Sequence, residues 1–189
     1  MEKQKEITYD SMDVVELCNY LTENHHSLER KLMSEIKDHI EVVLKVEKNR
    51  LGQMPFVRDN FLQMAWKLEQ HIAAEEQIIF PFAEKFAKQG RKKHLIHFPE
   101  LRHIIDMLVK LVNKQKSILE SMEAIRNLTH HFNAEVKDSP SHKLCLDELH
   151  RLDLNIQQHF FIESNVLVKK MEHLEDIAHV EENEIKNEG

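Results

Sequence analysis

The sequence predicts an all-α fold, an up-down-up-down four-helix bundle, and three observations lead to this prediction. Only three glycines and four prolines interrupt 189 residues. Charged residues make up 31% of the chain and apolar residues 41%, a mix that suits long amphipathic helices better than a sheet. Four long segments repeat apolar residues at a spacing of three and four, which is the period of one helix face. Short connections make neighbouring helices antiparallel.

The first two helices are bounded by start and stop residues. The first is expected to begin near Asp10 or Ser11, either of which can cap a helix, and to run to about Arg50. The second is expected over about 55–89, followed by Gly90 as its C-terminal stop.

The last two helices begin at prolines, which are favoured at the first helical position. The third is expected from Pro99 to about His131, and the fourth from Pro140, with Ser139 as its cap, to about His179. The whole chain is expected to be a single domain over 1–189, with its core over about 12–172 and a charged tail at 180–189.

Each predicted helix interrupts its apolar stripe with polar residues. These residues are His25 on the first helix, His71 and Glu75 on the second, Gln115 on the third, and His159 and Glu163 on the fourth. The interruptions fall at comparable distances from the helix ends, so an antiparallel bundle can bring them into one layer. Burying such groups is costly unless something satisfies them.

A bound metal would satisfy this layer, because imidazole and carboxylate suit iron, zinc or manganese. The pattern H-x-x-x-E occurs twice, in "HIAAEEQIIFPF" (71–82) and in "HFFIESNVL" (159–167). Residues four apart share a helix face, so each motif presents a nitrogen ligand and, one turn on, a carboxylate. Two carboxylates are enough to bridge a metal pair. The alternative is a hydrogen-bonded polar layer that fixes helix register without metal.

Composition argues against several other classes of protein. The net charge of −7 disfavours binding to nucleic acid or to an anionic membrane. No run of 18 apolar residues occurs and no signal peptide is evident, so neither a transmembrane span nor secretion is expected. The two cysteines, Cys18 and Cys145, indicate neither a metal cluster nor a disulfide framework, which favours a reducing cytoplasm.

Four further residues have ordinary structural interpretations. Cys18 and Cys145 are expected to be small core or boundary residues, since neither has an evident partner base. Trp66 is expected in the core, and Glu76 is expected to point to solvent.

The motifs resemble those of the hemerythrin-like four-helix di-iron fold, and within it the family that repairs iron centres under nitrosative and oxidative stress. The similarity covers about 12–172 and is most specific at "HIAAEEQIIFP" (71–81) and "HFFIESNVL" (159–167). "LTHHFNA" (128–134) is similar to the loop after that family's third helix, and "ENHHSLER" (23–30) resembles its first-helix segment.

The resemblance implies a di-iron centre and a set of ligands. It makes His25, His71 and His159 terminal ligands, with His26 ranked second to His25, and makes Glu75 and Glu163 bridging ligands.

The chain departs from the family pattern at one ligand. Gln115 stands where the family has a histidine on the third helix. The chain also lacks the N-terminal cysteine pair of many members and the "FP" that closes the fourth-helix motif.

Three functional hypotheses follow. The first is a cytoplasmic di-iron protein that acts in iron–sulfur cluster repair or in the stress response, with iron–sulfur proteins as partners. The second is a sensor or carrier that binds oxygen, nitric oxide or metal without turnover. The third is a bundle with one metal or none that acts through protein interactions, which Gln115 favours. Whether the protein is an enzyme stays open at this point.

Overall fold

A computed structural model describes residues 8–48, 52–90 and 98–176. Within these ranges the chain is all-α, with four long helices and no strand, which confirms the all-α part of the prediction. A 3₁₀ turn at Tyr9–Ser11 precedes the first long helix.

The first two long helices each contain a π-helical turn. Helix α1 comprises Val14–Leu21, the π turn Thr22–His26 and Ser27–Val46. The predicted end of this helix, Arg50, lies outside the described residues.

Helix α2 comprises Met54–Ala74, the π turn Glu75–Ile79 and Phe80–Gly90, close to the predicted bounds.

Helices α3 and α4 complete the bundle. Helix α3 is a regular α-helix over Phe98–Leu128, and it ends before the predicted His131 because residues 130–132 adopt positive φ angles. Helix α4 comprises Pro140–Ile162, the π turn Glu163–Leu167 and helical residues up to 176. Its predicted end at His179 and the tail 180–189 lie outside the described residues.

The helix caps follow local side-chain chemistry. The Ser139 hydroxyl accepts a hydrogen bond from the His142 N–H, which confirms the predicted cap of α4. The predicted cap of α1 at Asp10 or Ser11 is wrong, because both residues lie in the 3₁₀ turn. Asp13 caps α1 instead, in a reciprocal capping box with Glu16.

Two apolar cores lie at the two ends of the bundle. The larger core joins the end of α1, the start of α2, the end of α3 and the start of α4, and its buried members include Leu32, Ile36, Ile40, Phe61, Met64, Leu68, Met122, Ile125, Leu149, Leu152 and Ile156. The smaller core joins the opposite halves of the same helices, and its buried members include Leu17, Leu21, Ile79, Phe86, Leu101, Ile105, Leu108, Ile162, Leu167 and Met171. Burying one such side chain contributes roughly 1.5–3 kcal/mol, so both ends of the bundle are firmly packed.

The interpretations of the two cysteines hold, whereas that of Trp66 fails. Cys18 and Cys145 are free and buried, as expected of core residues. Trp66 is 65% exposed, so its predicted place in the core is wrong. Phe61, Met64 and Leu68 occupy the inner face of this part of α2, which turns Trp66 outward.

Candidate metal centre

A buried polar layer separates the two apolar cores. It contains His25, His26, Glu29, His71, Glu75, Gln115, His159 and Glu163, none of which is more than 5% exposed. All four helices therefore contribute polar side chains to the same layer, as the interrupted stripes predict.

The π turns lie at this layer in three of the four helices. In α2 and α4 the π turn begins at the glutamate of H-x-x-x-E, Glu75 and Glu163 respectively, so the two motifs share the same backbone form. In α1 the π turn ends at the adjacent histidines His25 and His26. Such a turn adds one residue to a helix and is frequent at functional sites. It also explains how both His25 and His26 are buried, since the inner face shifts by one residue at this point.

Four side chains form the centre of the layer. The ligand atoms of His26, Glu75, His159 and Glu163 lie within 4.8 Å of one another. His71 adjoins this group, with its Nε2 atom 3.1 Å from Glu163 Oε2 and 3.4 Å from Glu75 Oε2. The layer thus brings three imidazole rings and two carboxylates together.

His26 and His159 direct their Nε2 atoms at each other across 3.3 Å. The opposite nitrogen of each ring donates to a carboxylate: His26 Nδ1 to Glu76 Oε1 at 3.0 Å, and His159 Nδ1 to Glu29 Oε1 at 3.0 Å. Because a carboxylate only accepts, both Nδ1 atoms carry hydrogen. In the neutral rings both Nε2 atoms would therefore present lone pairs to each other. Either a bound metal ion or a proton on His159, whose Nε2 atom also contacts Glu163 Oε1, relieves this conflict.

The carboxylates behind these rings match the partners of metal-bound histidines. A ligating histidine almost always donates its other N–H to a carboxylate, a carbonyl or water, which fixes the ring and raises its basicity. Glu29 is fully buried and serves this purpose for His159. Glu76 does so for His26 while also accepting from Arg30 Nη1 at 2.8 Å. The expectation that Glu76 points to solvent is therefore wrong.

Strong electrostatic coupling marks the layer. Burial by itself lowers the pKa of His159, but Glu163 and Glu29 outweigh burial and hold that pKa well above its ordinary value. Burial by itself raises the pKa of Glu163, but His159 and His71 outweigh it and hold that pKa well below its ordinary value. Glu75 differs, because burial and the neighbouring Glu163 both raise its pKa. Two carboxylates this close require positive charge around them.

Unpaired atoms show that the residues fit a metal. Among the described residues, the buried side-chain nitrogens and oxygens without a hydrogen-bond partner are His25 Nε2, His71 Nδ1 and both carboxylate oxygens of Glu75. Glu75 Oε2 also lies 3.2 Å from His26 Nε2. Unpaired buried polar atoms are rare and costly. Here they fall in one layer whose donors, imidazole nitrogen and carboxylate oxygen, suit a divalent metal.

Gln115 reaches this layer from α3, as its place in the apolar stripe predicts. Its Nε2 atom donates to Glu163 Oε2, and its Oε1 atom accepts from the Ser164 hydroxyl at 3.3 Å. The side chain thus holds a carboxylate of the centre by a neutral hydrogen bond.

The structure brings most of the predicted ligands together. Glu75, His159 and Glu163 belong to the central group, and His71 adjoins it. His25 lies at the edge of the layer: its ring centroid is 5.5 Å from that of His159, and its Nδ1 atom pairs with Asn155 Oδ1 at 3.2 Å. His26 takes the position in the central group that His25 was predicted to take. The ligand role of His25 stays a prediction.

Glu29 was missed by sequence reasoning. A regular helical period from His25 leads to Leu28 and Leu32, whereas the π turn shifts the inner face to Glu29. The signal available in the sequence was the doublet of His25 and His26, followed by a glutamate three residues after His26.

A second group of potential ligands joins α1 to α4 at the far end of the larger core. Glu47, Asp138 and His142 present ligand atoms within 4.8 Å of one another. Glu47 Oε1 accepts from the Ser139 N–H at 2.9 Å, and Oε2 accepts from His142 Nδ1 at 3.1 Å. These bonds give Glu47 a structural role, because it ties the end of α1 to the first turn of α4.

Comparison with known proteins adds no identity. No protein-family model matches the chain, and no curated protein matches it. None of the described helices has the length and apolar character needed to cross a membrane.

Proposed function

We propose that the protein is a non-haem metalloprotein of the hemerythrin-like class, with a di-iron centre in the buried polar layer. One observation carries the proposal: His26 and His159 aim their Nε2 atoms at each other, while the Nδ1 atom of each ring lies against a carboxylate. Four donors lie around that point, namely His26, Glu75, His159 and Glu163, and His71 adjoins them beside Glu163. When bound there, iron would supply one-electron redox chemistry and open positions for small ligands.

The packing supports the up-down-up-down topology of that class. The start of α1 packs against the end of α2, and the later part of α1 packs against the start of α2. Both apolar cores draw on alternating ends of successive helices. This arrangement supports antiparallel neighbours throughout the bundle.

The proposed role is iron–sulfur cluster repair or the response to nitrosative and oxidative stress. The donor set suits manganese, zinc and iron alike, so the choice of iron rests on the motif resemblance. The layer is buried between two apolar cores, which favours ligands as small as oxygen or nitric oxide. Iron–sulfur proteins as partners and a cytoplasmic location belong to the same proposal.

A second candidate is a centre with a single metal that binds small ligands or acts through partners. Gln115 favours it, because an amide that donates to Glu163 supplies no nitrogen ligand from α3. The two candidates differ in stoichiometry, which is directly measurable.

The deciding experiment is the metal content per chain, by mass spectrometry, of protein made with ample iron and purified without oxygen. Two irons per chain and an oxo-bridge-type absorption after exposure to air support the di-iron centre. One iron per chain supports the second candidate, and no bound metal in either the iron-loaded or the zinc-loaded protein contradicts both.

Two variants at one position sharpen the result. Gln115→His adds an imidazole where the family pattern expects one and should raise metal stoichiometry or affinity. Gln115→Ala is the matched control, because it removes the amide without adding a ligand. Identical metal content and spectra for wild type and Gln115→His would show that α3 contributes no ligand position.

A further inference from the structure

The two tyrosines of the chain form a row of neighbouring rings that ends at a histidine of the buried layer. Tyr9 and Tyr20 are the only tyrosines in the sequence. Their ring centroids are 5.4 Å apart, and the ring of Tyr20 lies 5.7 Å from that of His25, edge to face. The His25 ring in turn stacks 5.5 Å from His159. A continuous row of aromatic rings thus leads from the centre to Tyr9, which is half-buried.

Aromatic neighbours elsewhere in the layer resist oxidation. Phe80 stacks on His26 at 5.5 Å, and Phe160 contacts both His71 and His159 at 5.1 and 5.3 Å. Phenylalanine has no phenol to give up an electron and a proton. Among the described aromatic contacts of the four layer histidines, Tyr20 is therefore the one readily oxidised ring.

Polar contacts from α4 fix both ends of the row. Asn155 accepts from His25 at one end, and Gln158 Nε2 donates to the Tyr9 hydroxyl at 2.6 Å at the other. Lys170 Nζ donates to the Asp10 carbonyl at 2.9 Å and ties the 3₁₀ turn to the same helix. This turn contributes no fully buried residue, although the half-buried Tyr9 packs against the smaller apolar core.

We propose that Tyr9 and Tyr20 supply electrons from the surface side of the protein to the histidine layer, and that these electrons reduce peroxide that reaches the metal. The proposal rests on the proposed function, since it needs a redox-active metal among the histidines. It adds a protective function: oxidising equivalents leave the buried centre before they damage its ligands.

The chemistry balances between two phenols and one peroxide. Hydrogen peroxide needs two electrons and two protons to break its O–O bond and become two molecules of water. Each phenol loses one electron and its O–H proton and becomes a neutral radical, so Tyr20 and Tyr9 together meet the demand. The electrons travel through His25 and His159, and the phenol protons leave to solvent beside Tyr9 while water supplies an equal number at the peroxide.

A one-electron reductant of the ascorbate class would restore both phenols at the surface. Without it, the two neighbouring radicals join through a carbon–carbon bond and lose two ring hydrogens to solvent on restoring the phenols. The net change is then two tyrosines and one peroxide giving one dityrosine and two waters. Burial and the neighbouring Tyr9 raise the pKa of Tyr20 to about 12, which keeps the phenol protonated until it is oxidised.

Cys18 is the competing reductant nearby. It is 1% exposed, and burial, then the charge of Glu75, raise the pKa of its thiol far above the ordinary value. The thiol therefore keeps its proton, and its oxidation lacks the exit to solvent that Tyr9 provides.

The test adds hydrogen peroxide to iron-loaded protein of measured metal content, without reductant, and has two readouts. Rapid-freeze electron paramagnetic resonance should show a tyrosyl radical, and peptide mapping should later show a Tyr9–Tyr20 crosslink with the loss of two hydrogens. Tyr20→Phe should lose both signals. Tyr9→Phe should lose the crosslink, and Cys18→Ala should keep both signals.

Each other outcome has a defined meaning. Iron-loaded wild type that keeps its metal but shows neither radical nor crosslink overturns the path and leaves the proposed function standing. Loss of both signals in Cys18→Ala, or their persistence in Tyr20→Phe, also overturns the path. Zinc-loaded protein should give neither signal, and signals there would overturn the path by showing that tyrosine is oxidised without a redox-active metal. Protein that retains no metal overturns the path together with the function on which it rests.

Discussion

His26 Nε2 and His159 Nε2 lie 3.3 Å apart, and each ring donates from its opposite nitrogen to a carboxylate. No arrangement of neutral rings satisfies both atoms. In the metal-free protein a proton shared with Glu75 and Glu163 can fill the gap, and the raised pKa of His159 reflects that need. Metal binding must displace such protons, so it will release protons and weaken as the pH falls.

The adjacent histidines of α1 should differ sharply when replaced. His26→Ala removes one of the two opposed nitrogens and should lower metal affinity by more than the roughly 10- to 100-fold typical of an outer-shell partner. His25→Ala should lose less, because its Nε2 atom lies outside the central group. Metal content and the metal-induced rise in melting temperature measure both effects. The opposite ranking would restore His25 as the principal ligand of α1.

Glu29 should tune the centre without binding metal. Glu29→Gln keeps the shape of the side chain but loses the charge that accepts from His159 Nδ1. Metal affinity should fall roughly 10- to 100-fold, measured by competition with a chelator of known affinity. Glu76→Gln is the matched control, and its effect should be smaller because Glu76 is half-buried and partly neutralised by Arg30. Complete loss of metal in Glu29→Gln would make Glu29 a ligand itself.

Acid should weaken the joint between α1 and α4 through Glu47. Burial by itself raises the pKa of Glu47, but the Ser139 N–H and His142 outweigh it and lower that pKa from 4.5. Ionised Glu47 therefore stabilises the folded protein. This stabilisation is fully present above the ordinary pKa of 4.5 and is lost as the pH falls through the lower pKa that Glu47 has in the folded state.

The Glu47→Gln variant isolates this contribution. It should lower the free energy of unfolding by about 1–3 kcal/mol at neutral pH. Below about pH 4 its stability should approach that of the wild type. Urea unfolding of the metal-free protein over a pH series measures the difference between the two chains. A cost that stays constant down to pH 2 would show that charge is not involved.

The sequence predicts those parts of the molecule that follow a regular helical period. Gln115, Ile118, Met122 and Ile125 follow such a period on α3, which is uninterrupted, and all are buried as expected. Both H-x-x-x-E motifs also face inward as predicted, because the helix is a regular α-helix up to the glutamate of each motif.

The π turns limit what the sequence could predict. In α2 the turn puts Ile79 inside and leaves Ile78 38% exposed, whereas a regular helical period from Glu75 leads to Ile78. In α1 it buries Glu29 in place of Leu28. A π turn has no strong local propensity and is maintained by packing on both sides, which a single sequence does not display.

Deleting Asn24 should remove the π turn of α1 without unfolding the bundle. The turn carries one residue more than a regular helix, shown by the hydrogen bond from the Ser27 N–H to the Thr22 carbonyl. Asn24 is exposed, and its side chain donates a hydrogen bond to the Tyr20 carbonyl at 3.0 Å. Deleting it should leave a continuous α-helix, whose two halves remain in separate apolar cores.

The deletion should abolish metal binding while helicity survives. In a continuous helix only one of His25 and His26 can face the layer, and Glu29 can no longer lie behind His159. Circular dichroism should therefore show wild-type helix content, and the metal-induced rise in melting temperature should disappear. Asn24→Ala is the matched control and should bind metal normally, because it keeps the residue count of the turn. Full metal content in the deletion variant would mean that the π turn follows from packing alone and does not position the ligands.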